Sequence, residues 1–443
     1  MRLKKVRIEN FRIIDNCEIE FDEQFNLIIG NNGTGKTSIL EAITVGLSGF
    51  IAGIHEVKPI KFNKEDIRMK TELTGEGSYH ITYMTPTKVQ CTVEVQGNEV
   101  IEWERSLTSY KSSRVTTPKN VTRYAQSLID DSHSVLPILS YQSAGRMWSQ
   151  KREKWKDAFK ENFSRSIGYM DCMATESNMK LLTNWCKRMD YIEYKEEKKI
   201  LEYEVVRKTV GKFISILEER DLESTITYDK RIEELVYDTG EERIPVRLLS
   251  TGYRSIVGMV ADIAYRMAVL NPNLGSEIVD KTDGIVIIDE IDLHIHPKWQ
   301  WLIVNALIQT FPAVQFISTT HSPIVISSCK DKKIISLYDM DMTTINVEMG
   351  VKNQISPYGW QVNDVLKKFM LTDDRDPELQ EKLDIVKNLT MKKFRQKLDD
   401  SESEQLTKIK TELYDYLPEN DPAVDLMELQ SIENILRMSG RSE

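Results

Sequence analysis

Apolar and polar residues alternate from Lys4 to Ile8 and again from Cys17 to Phe21, the period of half-buried strands. Phe25–Ile29 is a short apolar run ending in a glycine-rich turn, and the spacing from Ser38 to Leu47 predicts a helix. His80–Thr85, Gln90–Val95 and Glu99–Glu104 predict a small antiparallel meander. From about Lys151 to Leu222, charge and helical spacing dominate. Within Tyr191–Arg220 apolar residues recur at steps of three and four, but no heptad pattern persists, so long coiled-coil arms are not expected. Strands and helices then alternate again. Gly284–Ile288 and Val314–Ser318 are short β-branched runs that read as buried parallel strands, and a helix over about Pro297–Thr310 between them completes a βαβ unit. The remainder reads as helical, with turns at Asp376-Pro377 and Asn420-Asp421-Pro422. These shifts divide the chain into residues 1–150, 151–222, 223–348 and 349–443. The last stretch, acidic at Asp399–Glu404, reads as a solvated helical appendage or, alternatively, as a partner-docking tail.

A chain of 443 residues exceeds what one hydrophobic core supports, so more than one core is expected. With 40% apolar and 29% charged residues it reads as globular, and no stretch is long and apolar enough to predict a membrane span. The opening residues lack a signal-peptide pattern. Five scattered cysteines (Cys17, Cys91, Cys172, Cys186, Cys329) form no CxxC pair, so neither a disulfide framework nor a cysteine zinc site is supported and a cytoplasmic setting is expected. At a net charge of −10, nucleic-acid binding would need a local basic patch. Lys151–Lys156 and Lys392–Lys397 are basic runs among acids, read as solvated helix faces or as DNA contacts. Trp148, Trp155 and Trp185 read as helix-packing residues rather than base-stacking platforms.

The strongest chemistry is Gly30-Asn31-Asn32-Gly33-Thr34-Gly35-Lys36-Thr37, a complete GxxxxGK[ST] motif between a predicted strand and a predicted helix. Small residues let backbone N–H groups point inward around a phosphate, and the helix N-terminus adds positive charge. Lys36 is placed to reach the β/γ-phosphates of ATP, Thr37 to offer a hydroxyl to Mg2+, and Ser38 to orient the loop. Ile285–Ile288 followed by Asp289-Glu290 supplies two acids at a strand end, where ligands of a parallel sheet sit. Asp289 is the expected Mg2+ ligand and Glu290 the expected general base for an attacking water.

On these and three further stretches the chain resembles the ABC-type ATPases of the SMC, double-strand-break-repair and RecF group. Ile8-Glu-Asn-Phe-Arg12 is similar to that group's first strand, whose arginine approaches the nucleotide. Leu249-Ser250-Thr251-Gly252-Tyr253 resembles the signature LSGGQ, with Thr251 and Tyr253 as departures and Ser250 and Gly252 at the positions that reach the γ-phosphate of the opposite subunit. Asp289–Pro297 is similar to the Walker B and D-loop of overcoming-lysogenization-type ATPases, and Ser318–Pro323 places His321 where the group has its switch histidine. The resemblance implies an α/β ABC-type ATPase head of mixed sheets and flanking helices, built from 1–150 and 223–348. The rest is a helical insertion lobe (151–222) and a helical tail (349–443).

A narrower resemblance, carried by Leu136–Trp148, Leu249–Arg266 and Tyr358–Glu378, links the chain to compact bacterial AAA-family ATPases, among them the PtuA subunits of Septu anti-phage systems and retron-associated ATPases. It implies a nucleotide-gated homodimer, or a higher oligomer of dimers, that controls a partner HNH nuclease. The alternatives are a RecF-like clamp on DNA and an ATPase with an unrecognised nuclease of its own. The chain carries no HNH pattern and no acidic cluster with Toprim spacing after His321. Gln142 is either the glutamine that senses Mg2+ and water or a loop residue, and Arg146 is a candidate phosphate or DNA contact. The His294/His296 pair lacks further ligands for a metal; His294 fits a D-loop role better.

Overall fold

A computed structural model describes residues 1–73, 79–111, 114–147, 164–175, 179–221, 223–338, 357–395, 398–419, 421–424 and 427. Trp148, Trp155 and the basic run Lys151–Lys156 lie outside the described residues, as do the side chain of Arg146 and the end of the second basic run. The described chain forms two compact units, Met1–Val365 and Leu366–Glu443.

In chain order, the first unit begins with β1 (Arg2–Phe11), β2 (Ile14–Glu20), β3 (Phe25–Ile29) and α1 (Lys36–Ile51). It continues through β4 (Met69–Leu73), β5 (Tyr79–Tyr83), β6 (Thr87–Glu94), β7 (Val100–Leu107), α2 (Lys119–Asp130) and β8 (Ile138–Gln142). Then come α3 (Met179–Glu196), α4 (Leu201–Glu218), β9 (Thr225–Asp229), β10 (Glu234–Asp238), β11 (Arg243–Pro245) and α5 (Thr251–Leu270). The last elements are α6 (Ile278–Lys281), β12 (Gly284–Ile288), α7 (Pro297–Thr310), β13 (Val314–Thr319), α8 (Pro323–Ser328) and β14 (Lys333–Ser336), and α9 (Val362–Lys368) runs from the first unit into the second.

The central layer is a parallel sheet in the order β14-β3-β13-β12-β8. β3, β8, β12 and β13 are buried along their whole length, as near-continuous apolar strands covered on both faces must be. Register aligns their carboxyl ends: Ile288 lies opposite Ser318 and Gln142, and Thr319 opposite Ile28. The loops that follow four separate strands therefore open on one edge.

A second, antiparallel sheet runs β2-β1-β6-β7. Helix α1 packs against strands of both sheets. It is buried on nearly every face from Ile39 to Ile51, as a helix apolar all round should be. Trp103 Nε1 and Arg105 Nη1 reach from β7 to the carbonyls of Gly46 and Val45 at 2.9 and 2.6 Å. Gln315 joins the sheets: its amide takes the N–H of Leu3 at 2.8 Å and donates to the carbonyls of Leu3 and Asp22 at 2.9 and 2.7 Å. The architecture is mixed α/β, with a third sheet β11-β10-β9 beside the helices.

The expected meander is two structures. β6 and β7 form the hairpin, but β5 pairs with β4. β1 occupies the other edge of β6, so no edge remains for β5. Residues 151–222 contribute α3 and α4. Helix α4 packs on α5, α7 and β9 within the first unit. Gly211 lets α4 approach that closely, because a Cβ there would lie 1.9 Å from the carbonyl oxygen of Ser224.

The second unit holds α10 (Pro377–Arg395) and α11 (Asp400–Tyr416). Val386, Leu406, Ile409, Leu413, Val424 and Met427 form its core. Asp399 opens α11 with a capping box to Glu402. Among the described residues no helix is long and apolar enough to cross a membrane.

Gly211→Ala is expected to destabilise the first unit by about 1–3 kcal/mol, the usual cost of overpacking a tight contact. Denaturant unfolding measures it, and an unchanged midpoint would show that α4 is free to move off Ser224.

Candidate active site

The P-loop grows directly from β3. Gly33 and Gly35 hold φ of 81° and 92°, a region that favours glycine. Asn31, Asn32, Gly33 and Thr37 face solvent, whereas Thr34, Gly35 and Lys36 are buried and Ser38 is half-buried. Thr34 closes the loop by donating from Oγ1 to the carbonyl of Asn31 at 2.9 Å. Lys36 Nζ folds back to donate to the carbonyls of Gly30 and Asn31 at 2.8 and 2.9 Å. Burial lowers the pKa of this ammonium, while Asp289, Glu290 and Asp292 pull it up.

Asp289 ties three strands together. Thr37 Oγ1 donates to its Oδ2 at 3.0 Å, Thr319 Oγ1 donates to its Oδ1 at 2.6 Å, and its own N–H donates to the carbonyl of Gln142 at 2.9 Å. The carboxylate is 3% exposed. Thr319 Oγ1 also accepts the N–H of Glu290 at 2.8 Å. Glu290 sits at φ 50°, a left-handed conformation costing a non-glycine residue roughly 1–2 kcal/mol. The strand end thus buries Asp289 and sends Glu290, half-buried, out along the open edge. Asp292 takes the hydroxyl of Thr320 at 2.6 Å and the N–H of His321 at 3.4 Å. Burial first, then the Lys36 ammonium, hold the His321 imidazole below the usual histidine range, against Asp292, Glu290 and Asp289. The neutral imidazole is therefore favoured at His321 over the imidazolium. Because the unfolded chain takes up this proton first, the stability contributed by the site is lost as pH falls below the ordinary histidine value.

Two expected residues point elsewhere. Arg12, at φ 51°, is clamped between Asp66 and Glu41, with Nε and Nη2 at 3.0 and 2.9 Å from Asp66 Oδ1 and a further contact from Nη2 to Glu41. Gln142 lends its carbonyl to Asp289, but its side-chain amide donates to Ser140 Oγ at 3.0 Å and to Asp262 Oδ2 at 2.9 Å. Asp262 also holds Arg266 at 2.9 Å on α5.

The signature residues open α5. Ser250 Oγ accepts the N–H of Tyr253 at 3.4 Å as the N-cap, which leaves the hydroxyl proton available to an incoming acceptor beside the positive helix end. Gly252 packs on the D-loop, where a Cβ would lie 2.5 Å from the carbonyl oxygen of His294, itself at φ 63°. His296 caps α7 through Nδ1. Among the described residues no group of three or more His, Cys, Asp or Glu side chains is arranged to hold a metal ion. Thr37 and Asp289 suit a hard divalent cation such as Mg2+, which takes few protein oxygens and completes its shell with phosphate and water.

Sequence reasoning missed Thr319, Asp292, Glu41 and Asp66. Thr319 and Asp292 lay inside recognised motifs without a role; Glu41 and Asp66 become partners of Arg12 only in three dimensions.

The model of the AAA domain family matches residues 5–241, and the chain belongs to that family. It is 29% identical to the retron Vc95 probable ATPase of Vibrio cholerae serotype O1 biovar El Tor, over 76% of this chain and 74% of that protein. It is 23% identical to the Septu protein PtuA of Bacillus thuringiensis, over 97% of each. An SMC head bound to the C-winged helix domain of ScpA superimposes with a TM-score of 0.45 at 14% identity, over 76% of this chain and 94% of that one.

Two measurements test the site. Thr319→Val leaves the Glu290 N–H and Asp289 Oδ1 without their hydroxyl and should lower stability by about 1–3 kcal/mol in denaturant melts. Lys36→Met removes a cation beside His321, so the His321 pKa should rise in an NMR titration; no rise would mean the two groups do not sense each other.

Proposed function

We propose that this chain binds and hydrolyses ATP and is the ATPase subunit of an anti-phage defence complex, a nucleotide-gated dimer that controls a partner nuclease. The observation that carries the ATPase reading is the meeting of Thr37, Asp289, Thr319 and Glu290 at one sheet edge beside Lys36. The retron and Septu relatives support the defence setting.

In this reading the inward N–H groups of Gly33–Lys36 and the α1 N-terminus cradle the β-phosphate, and Lys36 exchanges loop carbonyls for phosphate oxygens. Thr37 and Asp289 would hold Mg2+, which supplies charge neutralisation at the β/γ-phosphates. Glu290 takes the proton of the attacking water, and neutral His321 donates a hydrogen bond to the γ-phosphate. Ser250 and Gly252 of a second copy complete the site, so ATP joins two heads and hydrolysis releases them. Gln142 senses occupancy through the hydrogen bond that its carbonyl accepts from the Asp289 N–H.

Lys36→Ala should abolish ATP binding, read by titration with a fluorescent nucleotide; normal affinity would remove the P-loop assignment. Glu290→Gln should bind ATP, turn it over slowly and accumulate dimers. A tagged Glu290→Gln chain, recovered from its native host with ATP and Mg2+, should bring down a nuclease in stoichiometric amount. A bare homodimer, or one carrying only DNA, would transfer the assignment to a DNA clamp. Metal-dependent cleavage of DNA by the pure chain would place the nuclease within it.

A further inference from the structure

Tyr253 stands where the ABC signature has glutamine, and its side chain turns inward, away from the helix end that Ser250 caps. Its hydroxyl donates to Glu218 Oε1 at 2.6 Å. Its ring packs edge-on against Trp299 of α7, centroids 4.6 Å apart, and is tilted against Tyr237 of β10 at 6.4 Å. Glu218 is the last residue of α4. A carboxylate there faces the negative end of the helix dipole and needs compensation. The Tyr253 hydroxyl and Arg220, 3.2 Å from Oε2, supply it. Lys298 of α7 adds a contact to the Glu218 carbonyl at 3.4 Å and to the Glu219 carboxylate at 3.4 Å. The backbone N–H of this same tyrosine is the one that Ser250 Oγ accepts. One residue therefore joins the signature turn, the end of α4 and the start of α7.

We propose that Tyr253 is a positioning residue that fixes the signature turn to the end of α4, so that the placement of α4 sets whether Ser250 and Gly252 can engage the nucleotide of a second copy. This rests on the shared-nucleotide reading above. It makes α4, a helix of the stretch between the two halves of the head, the lever by which a bound partner would tighten or loosen the ATP-joined dimer. Removing the hydroxyl leaves the P-loop and its acids untouched, so the effect belongs to dimerisation and not to ATP binding by one chain.

The test uses the full-length Glu290→Gln chain with saturating ATP and Mg2+, measuring the dimerisation constant by sedimentation, nucleotide affinity by titration and the melting temperature. Tyr253→Phe and Glu218→Ala should each weaken the dimer about ten-fold, the loss of one hydrogen bond to a charged group, with the ATP affinity of the monomer, measured at protein concentrations below the dimerisation constant, unchanged. The double variant should be no weaker than either alone, and Glu218→Gln, which keeps an acceptor, should stay near the parent. A merely structural tyrosine would lower the melting temperature and leave the dimerisation constant where it was, which would overturn the proposal. Ser250→Ala is the reference. If it weakens the dimer and Tyr253→Phe does not, the proposal falls and the shared nucleotide stands. If Ser250→Ala has no effect, the shared-nucleotide reading falls and this proposal with it.

Discussion

The pair of hydrogen bonds that Thr319 makes holds the site together. One hydroxyl donates to Asp289 and accepts from the N–H of Glu290. It thereby sets the two acids apart: Asp289 is drawn back over β13 toward Thr37, and Glu290 is turned forward at positive φ. Two adjacent carboxylates with the same partners would point the same way and repel each other. Different neighbours give them different tasks. The device works only because β13 lies between β3 and β12. Inserted there, β13 places a hydroxyl within reach of the acid from one neighbour, while the residue after the P-loop lysine reaches it from the other.

The charge around this centre is net negative, one ammonium among three carboxylates, and sensitive to what enters. Lys36 is buried among Asp289, Glu290 and Asp292, and its ammonium holds two loop carbonyls. Each such bond is replaceable by a stronger one to a phosphate oxygen, so the loop is preorganised without being closed. Arg12 is the contrasting case. Its guanidinium is shared by Glu41 and Asp66, and burial pushes the Glu41 carboxyl up. An arginine held by two acids has its charge largely compensated where it stands, so less of it reaches the P-loop than the sequence motif alone suggests.

Much of this was legible in the sequence because each motif is local. The P-loop, the apolar strand ending in Asp289-Glu290 and the helix starting at Pro297 are fixed by short stretches, and Pro297–Thr310 is the α-helix observed. Pairings were less legible. β5 carries a strand pattern, yet its partner depends on β1 having filled the edge of β6. Gln315 interrupts an apolar strand, and its use as the staple between two sheets depends on where Leu3 falls. Gln142 lies beside Asp289 as a strand-end residue should, but α5 supplies Asp262, which claims its amide. In every such case the deciding partner is more than a hundred residues away or already taken by a third element.

The same distinction explains why the signature end of the molecule departs from a simple motif. A helix N-terminus with a serine cap would bind an anion wherever it was mounted. What the fold adds is the mounting. Gly252 is pressed to the backbone of His294 so closely that no side chain fits between them. A side chain at position 252 would therefore force the signature turn away from the loop after Glu290. That loop begins at the residue whose N–H donates to the Thr319 hydroxyl, so the loop carries both a contact to the signature turn and a contact to β13. The packing of Gly252 on His294 is steric rather than ionic, so salt alone should leave it in place.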